Sequence, residues 1–310
     1  MNQELLSIII PHFERFGYLT ETVDSVVRWG RPGDQLTVVD DGSCASTVKK
    51  VEKLLSCVPG SFLPQLICHS QNLGGAAARN SAVRGSKNDW LFCLDSDNLL
   101  TPNLLTSLMG NAVRNSIDIA VPEYTVFFRT DSRAITHAWK YPTRNVAIDD
   151  HFSRSGIVPS ASGNYLFSRE SWERAQGYPE GLVLDTWGFG LRQVAVGCKM
   201  RVVKGTAYLH RYGHASYWVT GDRKELQREA DLLVTEQPAL LRRVMSGELR
   251  RRYRLGRKGN TPVLQRDIFP TLKKNKLIQG ELLYRRELPE WVLQQSTELS
   301  SAKGPGIHHE

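Results

Sequence analysis

Trp90-Leu91-Phe92-Cys93-Leu94-Asp95-Ser96-Asp97-Asn98 runs an apolar stretch straight into two aspartates spaced by one residue. A short continuous apolar run bounded by polar residues reads as a strand buried on both faces. In an extended backbone, residues two apart point the same way, so Asp95 and Asp97 converge at the strand's carboxyl end. The same design recurs upstream. Leu5 to Ile10 ends in Pro11, Leu36 to Val39 ends in Asp40-Asp41-Gly42-Ser43, and Leu66 to Cys68 is a third short run. Between them, Leu19, Val23, Val26 and Val27 repeat at helical spacing before Gly30, as do Val48, Val51, Leu54 and Leu55. Gly74 to Val83 is rich in small residues and reads as a closely packed helix start. Downstream, Thr101-Pro102 predicts a cap and first helical position for Leu104, Leu105, Leu108 and Met109, and Ile117 to Val121 closes the series. Such alternation predicts an α/β fold, a mostly parallel sheet flanked by helices. Ligands of open sheets bind beyond the carboxyl ends of the strands, where both acidic clusters stand.

The rest of the composition narrows the setting. With 41% hydrophobic and 23% charged residues over 310 positions, the chain can bury a core and is neither disordered nor collagenous nor a coiled coil. Five scattered cysteines, none in a C-x-x-C pair, predict a reducing, cytoplasmic setting rather than a disulfide frame or zinc ribbon. No run approaches the ~18 apolar residues of a spanning helix, and Met1 to Leu6 lacks the basic start of a secretory signal. The net charge of +8 is local: Arg242 to Lys258 holds eight basic residues and one acid, so the remainder is nearly neutral. A polybasic segment of this kind suits peripheral contact with an anionic membrane, here the inner face, or a solvated surface. No nucleic-acid-binding motif accompanies it, so no specific nucleic-acid partner is expected.

From Glu123 to Ser168, aromatic β-prone stretches (Tyr124 to Phe128, Asn164 to Phe167) alternate with polar loops. Asp185 to Gly197 reads as a helix, and Met200 to Val203 and Ala207 to His210 as two short strands; after Gly221 the pattern is helical and charged. Two converging carboxylates suit a hard cation, Mn²⁺ or Mg²⁺, or a polar turn. Asp40 and Asp41 suit a ribose hydroxyl or base N–H, or an Asx turn.

Taken with Leu6-Ser-Ile-Ile-Ile-Pro-His-Phe-Glu-Arg15 and Asn72-Leu-Gly-Gly-Ala-Ala-Ala-Arg-Asn80, these clusters resemble glycosyltransferase family 2, a GT-A, Rossmann-like fold. The four motifs stand in the family's order, and the resemblance extends through Ser162-Gly163-Asn164 and Asp185-Thr-Trp-Gly-Phe-Gly-Leu-Arg192 to about residue 215. It implies a nucleotide-sugar-binding half (1–120) and an acceptor-binding half (121–220); residues 221–310, which it does not cover, read as a basic helical C-terminal extension. Pro11, His12, Glu14, Asp40, Asp41, Arg79 and Asp95 would face the donor. Asp95, Asp97 and His210 would hold the cation, and His214, four residues on, is a second histidine of that stretch. Asn164, Tyr165, Trp187 and Arg192 would face the acceptor. Asp185 matches the aspartate of the family's Glu-Asp pair, the general base of inverting members, although Leu184 stands where the glutamate is usual. The implied activity is inverting transfer of one sugar, from a UDP-sugar as the family's commonest case, to a hydroxyl of a glycan or lipid-linked acceptor in polysaccharide biosynthesis. The Gln-x-x-Arg-Trp motif of processive members is lacking. A sugar nucleotidyltransferase is the first rival, but its Gly-rich loop after strand one has no counterpart in Pro11 to Gly17. A non-catalytic binding subunit of the same fold is the second.

Overall fold

Leu6–His12 (β1) alternates its side chains between two apolar layers: Leu6, Ile8 and Ile10 enter one core cluster and Ile9 the other. A strand covered on both faces has no polar side, hence the unbroken apolar run. The computed structural model describes residues 4–130, 132, 134–152, 158–213, 222–238, 255–258, 261–264 and 281–301. From β1 the chain passes through α1 (Phe16–Trp29), β2 (Gln35–Asp40), α2 (Ala45–Ser56), β3 (Leu63–Cys68), α3 (Gly75–Gly85), β4 (Trp90–Cys93) and α4 (Leu104–Asn115). The four strands lie in the order β3-β2-β1-β4, all parallel. Helices α1, α2 and α4 cover one face with Leu19, Val23, Val51, Leu54, Leu105 and Leu108. On the other face α3 lays Ala76, Ala78 and Ala82 against the strands, small side chains that bring its axis close to the sheet.

The second half adds β5 (Ile119–Phe128), β6 (Ile135–Lys140), β7 (Asn145–Val146), β8 (Leu166–Ser168), α5 (Arg169–Arg174), α6 (Asp185–Ala195) and β9 (Met200–Arg211). Short β8 runs antiparallel between β4 and β5, and β9 pairs parallel with β5. The run expected to end at Val121 continues to Phe128 as one ten-residue strand. Its interior Pro122 is tolerated because the register with β9 shifts between Pro122 and Tyr124. The two strands expected over 200–210 are likewise one, passing through Lys204-Gly205-Thr206.

The C-terminal stretch expected to be helical contains α7 (Arg223–Thr235) and α8 (Glu290–Ser301) but also strands. Leu255–Lys258 (β10) and Thr261–Leu264 (β11) form a hairpin, and Glu281–Tyr284 (β12) pairs antiparallel with β6 at the edge of the main sheet. Thr101 is not the cap of α4. That position is Asn103, in the left-handed region, and the Thr101 hydroxyl instead donates to the Ala207 carbonyl (2.5 Å), fastening the turn to β9. Among the described residues, no helix is long and apolar enough to cross a membrane. Residues 242–254 of the basic segment, and His214, lie outside the described residues.

Candidate active site

Three elements of the fold meet at Arg79. Its position on α3, one turn in from Gly75, aims the guanidinium past the end of β4. Nη2 donates to Asp95 Oδ1 (2.7 Å), and Nη1 donates to Asp185 Oδ2 (2.6 Å) on the first residue of α6. The guanidinium also lies 5.7 Å from the centre of the Tyr178 ring. Gly75 leaves room for this link, since a Cβ there would come 2.9 Å from Arg79 Nη1 and 3.4 Å from Asp185 Oδ2. Three charges drawn from water are stable only when paired and hydrogen-bonded. Burial works against the Arg79 cation, but Asp185 and Asp95 outweigh it and hold the guanidinium charged.

Asp95 is saturated. Beyond Arg79, its Oδ2 accepts from Asn164 Nδ2 (2.9 Å) and at the 3.5 Å limit from Asn98 Nδ2, while its N–H donates to Asn164 Oδ1 (2.9 Å). Burial would raise this carboxyl; Arg79 and Asn164 together keep it below the ordinary range. Asp97 differs. Burial, and then the charge of Asp95, push it up to about 6 against the opposing charges of Arg15 (Nη1–Oδ2 3.2 Å) and Arg211. Asp185 Oδ2 faces Arg79 and Oδ1 accepts from the Thr186 N–H (2.6 Å); burial raises its proton affinity against the opposing charge of Arg79.

Several predicted residues sit elsewhere than expected. Asn164 is fully buried and holds Asp95 rather than an acceptor. Tyr165 is in the core, its hydroxyl donating to Gln193 (3.1 Å) and its ring beside Phe167 and Phe189. Trp187 is also packed inside, its indole N–H on the His151 carbonyl (3.1 Å). Both aromatics were expected to face an acceptor; residues flanking site motifs pack just as often, and here packing claims them. Arg192, two turns beyond Asp185, pairs with Glu236 (2.9 Å) and lines a separate cleft of about 630 Å³ with Trp172 and Asn80.

On the donor side, Pro11 is half-buried in β1. His12 and Asp40, expected to face the donor, have fully covered side chains 3.9 Å apart. Burial lowers the His12 pKa. Asp40 Oδ1 accepts from the Ser43 N–H (2.8 Å) three residues on, a local turn-closing bond close to the Asx turn of the alternative reading. Asp41 binds the N–H groups of Leu73 (3.0 Å) and Gly74 (2.8 Å) and His69 Nδ1 (2.6 Å), thereby fixing the loop that leads into α3. Glu14 accepts from the Cys44 N–H (2.5 Å) and the Thr47 hydroxyl (3.0 Å) at the start of α2, bonds that lower its pKa. His210 is buried, which lowers its pKa to about 4, and Nδ1 meets Asn98 Nδ2 (3.3 Å) and Tyr208 Oη (3.2 Å). Among the described residues, no three His, Cys, Asp or Glu side chains gather at metal-binding spacing. Asp97, the second carboxylate of the Asp95-Ser-Asp97 turn, crowded by Asp95 and countered by Arg15 and Arg211, is the residue that would hold a cation.

Sequence reasoning overlooked Asn98, Arg211 and Asn80 as site builders. Asn98 bonds Asp95, Asn164, His210 and the Arg211 N–H. Arg211 lies between the Tyr18 and Phe128 rings (4.4 and 4.6 Å) and donates Nε–H to the Asp97 carbonyl (3.1 Å). Asn80 uses its whole amide to tie α3 to Trp172, Tyr178 and Glu180, on the approach to Asp185. The signal for Asn80 and Asn98 was their place inside the quoted motifs. Arg211 had none.

The family model described as Glycosyl transferase family 2 matches residues 7–174, more than half of the chain. Among curated proteins, the chain is similar to "Glycosyltransferase GlyG" of Streptococcus pneumoniae serotype 4, 24% identical over 41% of this chain and 42% of that one. It is also similar to the "Putative colanic acid biosynthesis glycosyl transferase WcaA" of Escherichia coli K12, 19% identical over 66% and 64%. The matched part spans less than half the length of GlyG. Among solved structures, Staphylococcus aureus TarS in complex with UDP-GlcNAc superimposes with a TM-score of 0.58 at 17% identity, over 75% of this chain and 66% of that one. The mannosyltransferase PcManGT of Pyrobaculum calidifontis, in complex with GDP-Man and Mn²⁺, gives 0.57 at 15% identity, over 80% and 70%. These likenesses are likenesses of fold. The family match carries membership: the chain belongs to glycosyl transferase family 2, with the GT-A architecture expected from its motifs.

Proposed function

We propose that this member of the family is an inverting, non-processive glycosyltransferase that moves one sugar from a nucleotide-sugar donor to a hydroxyl of a glycan or lipid-linked acceptor. The observation that supports it is the bridge from Asp95 through Arg79 to Asp185, in which a carboxylate that could act as base and a guanidinium cation stand 2.6 Å apart. Asp185 uses two acceptor directions of about four on a carboxylate, leaving room for an acceptor hydroxyl whose proton it takes as that oxygen attacks the anomeric carbon. One base and a single displacement invert the centre. Arg79 sets positive charge where the departing nucleoside diphosphate gathers negative charge. Asp97 would hold Mn²⁺ or Mg²⁺, which when bound supplies Lewis-acid charge to that leaving group. Complexes of the similar structures with UDP-GlcNAc, and with GDP-Man and Mn²⁺, support a nucleotide-sugar donor and a cation. The basic segment around Arg242 to Lys258 would serve contact with an anionic membrane.

Two measurements test this reading. Nucleoside diphosphates should raise the melting temperature more with Mn²⁺ than without; no shift with any nucleotide would leave a binding subunit. Asp185→Asn should abolish nucleoside diphosphate release from a panel of UDP- and GDP-sugars while the nucleotide-induced shift survives. Near-native turnover by that variant would place the base elsewhere.

A further inference from the structure

Helix α6 begins without a cap of its own, because its cap position is Leu184, which offers no side-chain oxygen. The backbone N–H groups there are satisfied from α7. Glu229 Oε1 accepts from the Val183 N–H (3.1 Å) and Oε2 from the Leu184 N–H (2.9 Å). Glu229 is 9% exposed and has no ion-pair partner among the described residues. A buried carboxylate without a cation is tolerated where helix N–H groups converge on it. Packing delivers it there: Leu226, Ala230, Leu233 and Val234 of α7 share a core cluster with Leu184, Trp187 and Leu191. Gly188 permits the close approach, since a Cβ would come 2.8 Å from Leu233 Cδ1.

We propose that Glu229 is the positioning residue for Asp185, restoring from α7 a carboxylate that the Glu-Asp pair lacks at Leu184. By clamping the backbone at Val183 and Leu184, it fixes where α6 starts and so where the Asp185 side chain meets Arg79. The site then includes a helix beyond the stretch matched to the family. This inference rests on the reading of Asp185 as the base.

The test compares Glu229→Ala, Glu229→Gln and Asp185→Asn, following nucleoside diphosphate release from whichever UDP- or GDP-sugar of the panel turns over fastest. Loss of the clamp should lower kcat by about 10- to 100-fold, the scale of a small misplacement of a reacting group. The donor KM and the shift given by UDP with Mn²⁺ should change little. Glu229→Gln keeps one acceptor oxygen and should fall between wild type and Glu229→Ala. Asp185 is faced by Arg79 from α3, Asp95 from the turn after β4 and Glu229 from α7. Loss of the Glu229 charge should therefore move the acid limb of the pH–kcat profile to lower pH, an effect that mere loosening does not produce. Should Glu229→Ala not fold, the profile of Glu229→Gln decides. Native kcat and an unmoved acid limb in the Glu229 variants, with Asp185→Asn inactive, would overturn the positioning role and leave the base reading standing. An active Asp185→Asn would remove both.

Discussion

Arg79 is one cation between two carboxylates, so the buried trio carries a net negative charge and relies on Asn164, Asn98 and the Thr186 N–H for the balance. Removing the cation would leave two acids facing each other out of water. Breaking a buried pair in this way costs about 3–5 kcal/mol. Arg79→Met should therefore lose stability on that scale in urea denaturation, and Arg79→Lys less, because a point charge satisfies one carboxylate at a time. Adding Asp185→Asn to Arg79→Met should recover part of the loss, a coupling that a double-mutant cycle reads. Equal losses with and without Asp185 would mean that Arg79 acts through packing alone. The motifs singled out Arg79, Asp95 and Asp185 as candidate site residues, yet gave no hint that one residue joins the other two. A contact across 106 residues has no trace in spacing.

At the scale of elements, the parallel half was legible because β1, β2 and most of β4 are buried on both faces and end in chemically distinct turns, whereas the edge strand β3 is largely exposed. The second half was less so. Tyr165, just ahead of β8, and Trp187, on α6, pack against residues far along the chain, so their packing could not be seen locally. Asp34, just ahead of β2, shows an element joint with a measurable consequence. Its side chain is sealed, accepts from the Leu6 N–H (3.0 Å) at the start of β1, and lies 3.3 Å from Arg31. Burial pushes its pKa up from 3.8 to about 6. The folded protein thus keeps a proton on Asp34 that the unfolded chain releases near pH 4. Stability should fall as pH rises from about 4 to about 6 and level off above, by roughly 2–3 kcal/mol at 1.36 kcal/mol per pH unit. Asp34→Asn has no such proton to lose, and its amide oxygen can still accept from Leu6. Urea midpoints between pH 4.5 and 7.5 should decline for the wild type relative to the variant. Parallel curves would show that Asp34 ionises normally.

At the scale of the whole molecule, the C-terminal third was the least legible part. Glu281-Leu-Leu-Tyr284 is too short to show periodicity, yet it forms the edge strand beside β6. Behind it, Leu288 and then Val292 of α8 pack against the sheet, and Trp291 packs edge-on against Tyr124 (5.5 Å). The basic cluster from Arg242 to Lys258 therefore lies upstream of segments that complete the core, and Arg257 and Lys258 themselves fall in β10. Truncation at Arg242 would strip β12 and α8 together with the charge, so loss of membrane binding by that variant would report an uncovered sheet as readily as a missing polybasic contact. Charge has to be removed alone. Replacing Arg250, Arg251, Arg252 and Arg254 with Ser takes four positive charges from the segment, each worth about 1 kcal/mol near an anionic surface. The variant should sediment far less with phosphatidylserine-containing vesicles at low salt, while its melting temperature and nucleotide-induced shift stay those of the wild type. Neutral vesicles should bind neither protein, and added salt should release the wild type, because the attraction is screened over about 10 Å at 0.1 M. Undiminished sedimentation of the four-serine variant would return the cluster to a solvated surface and leave the transferase without a membrane contact in this part of the chain.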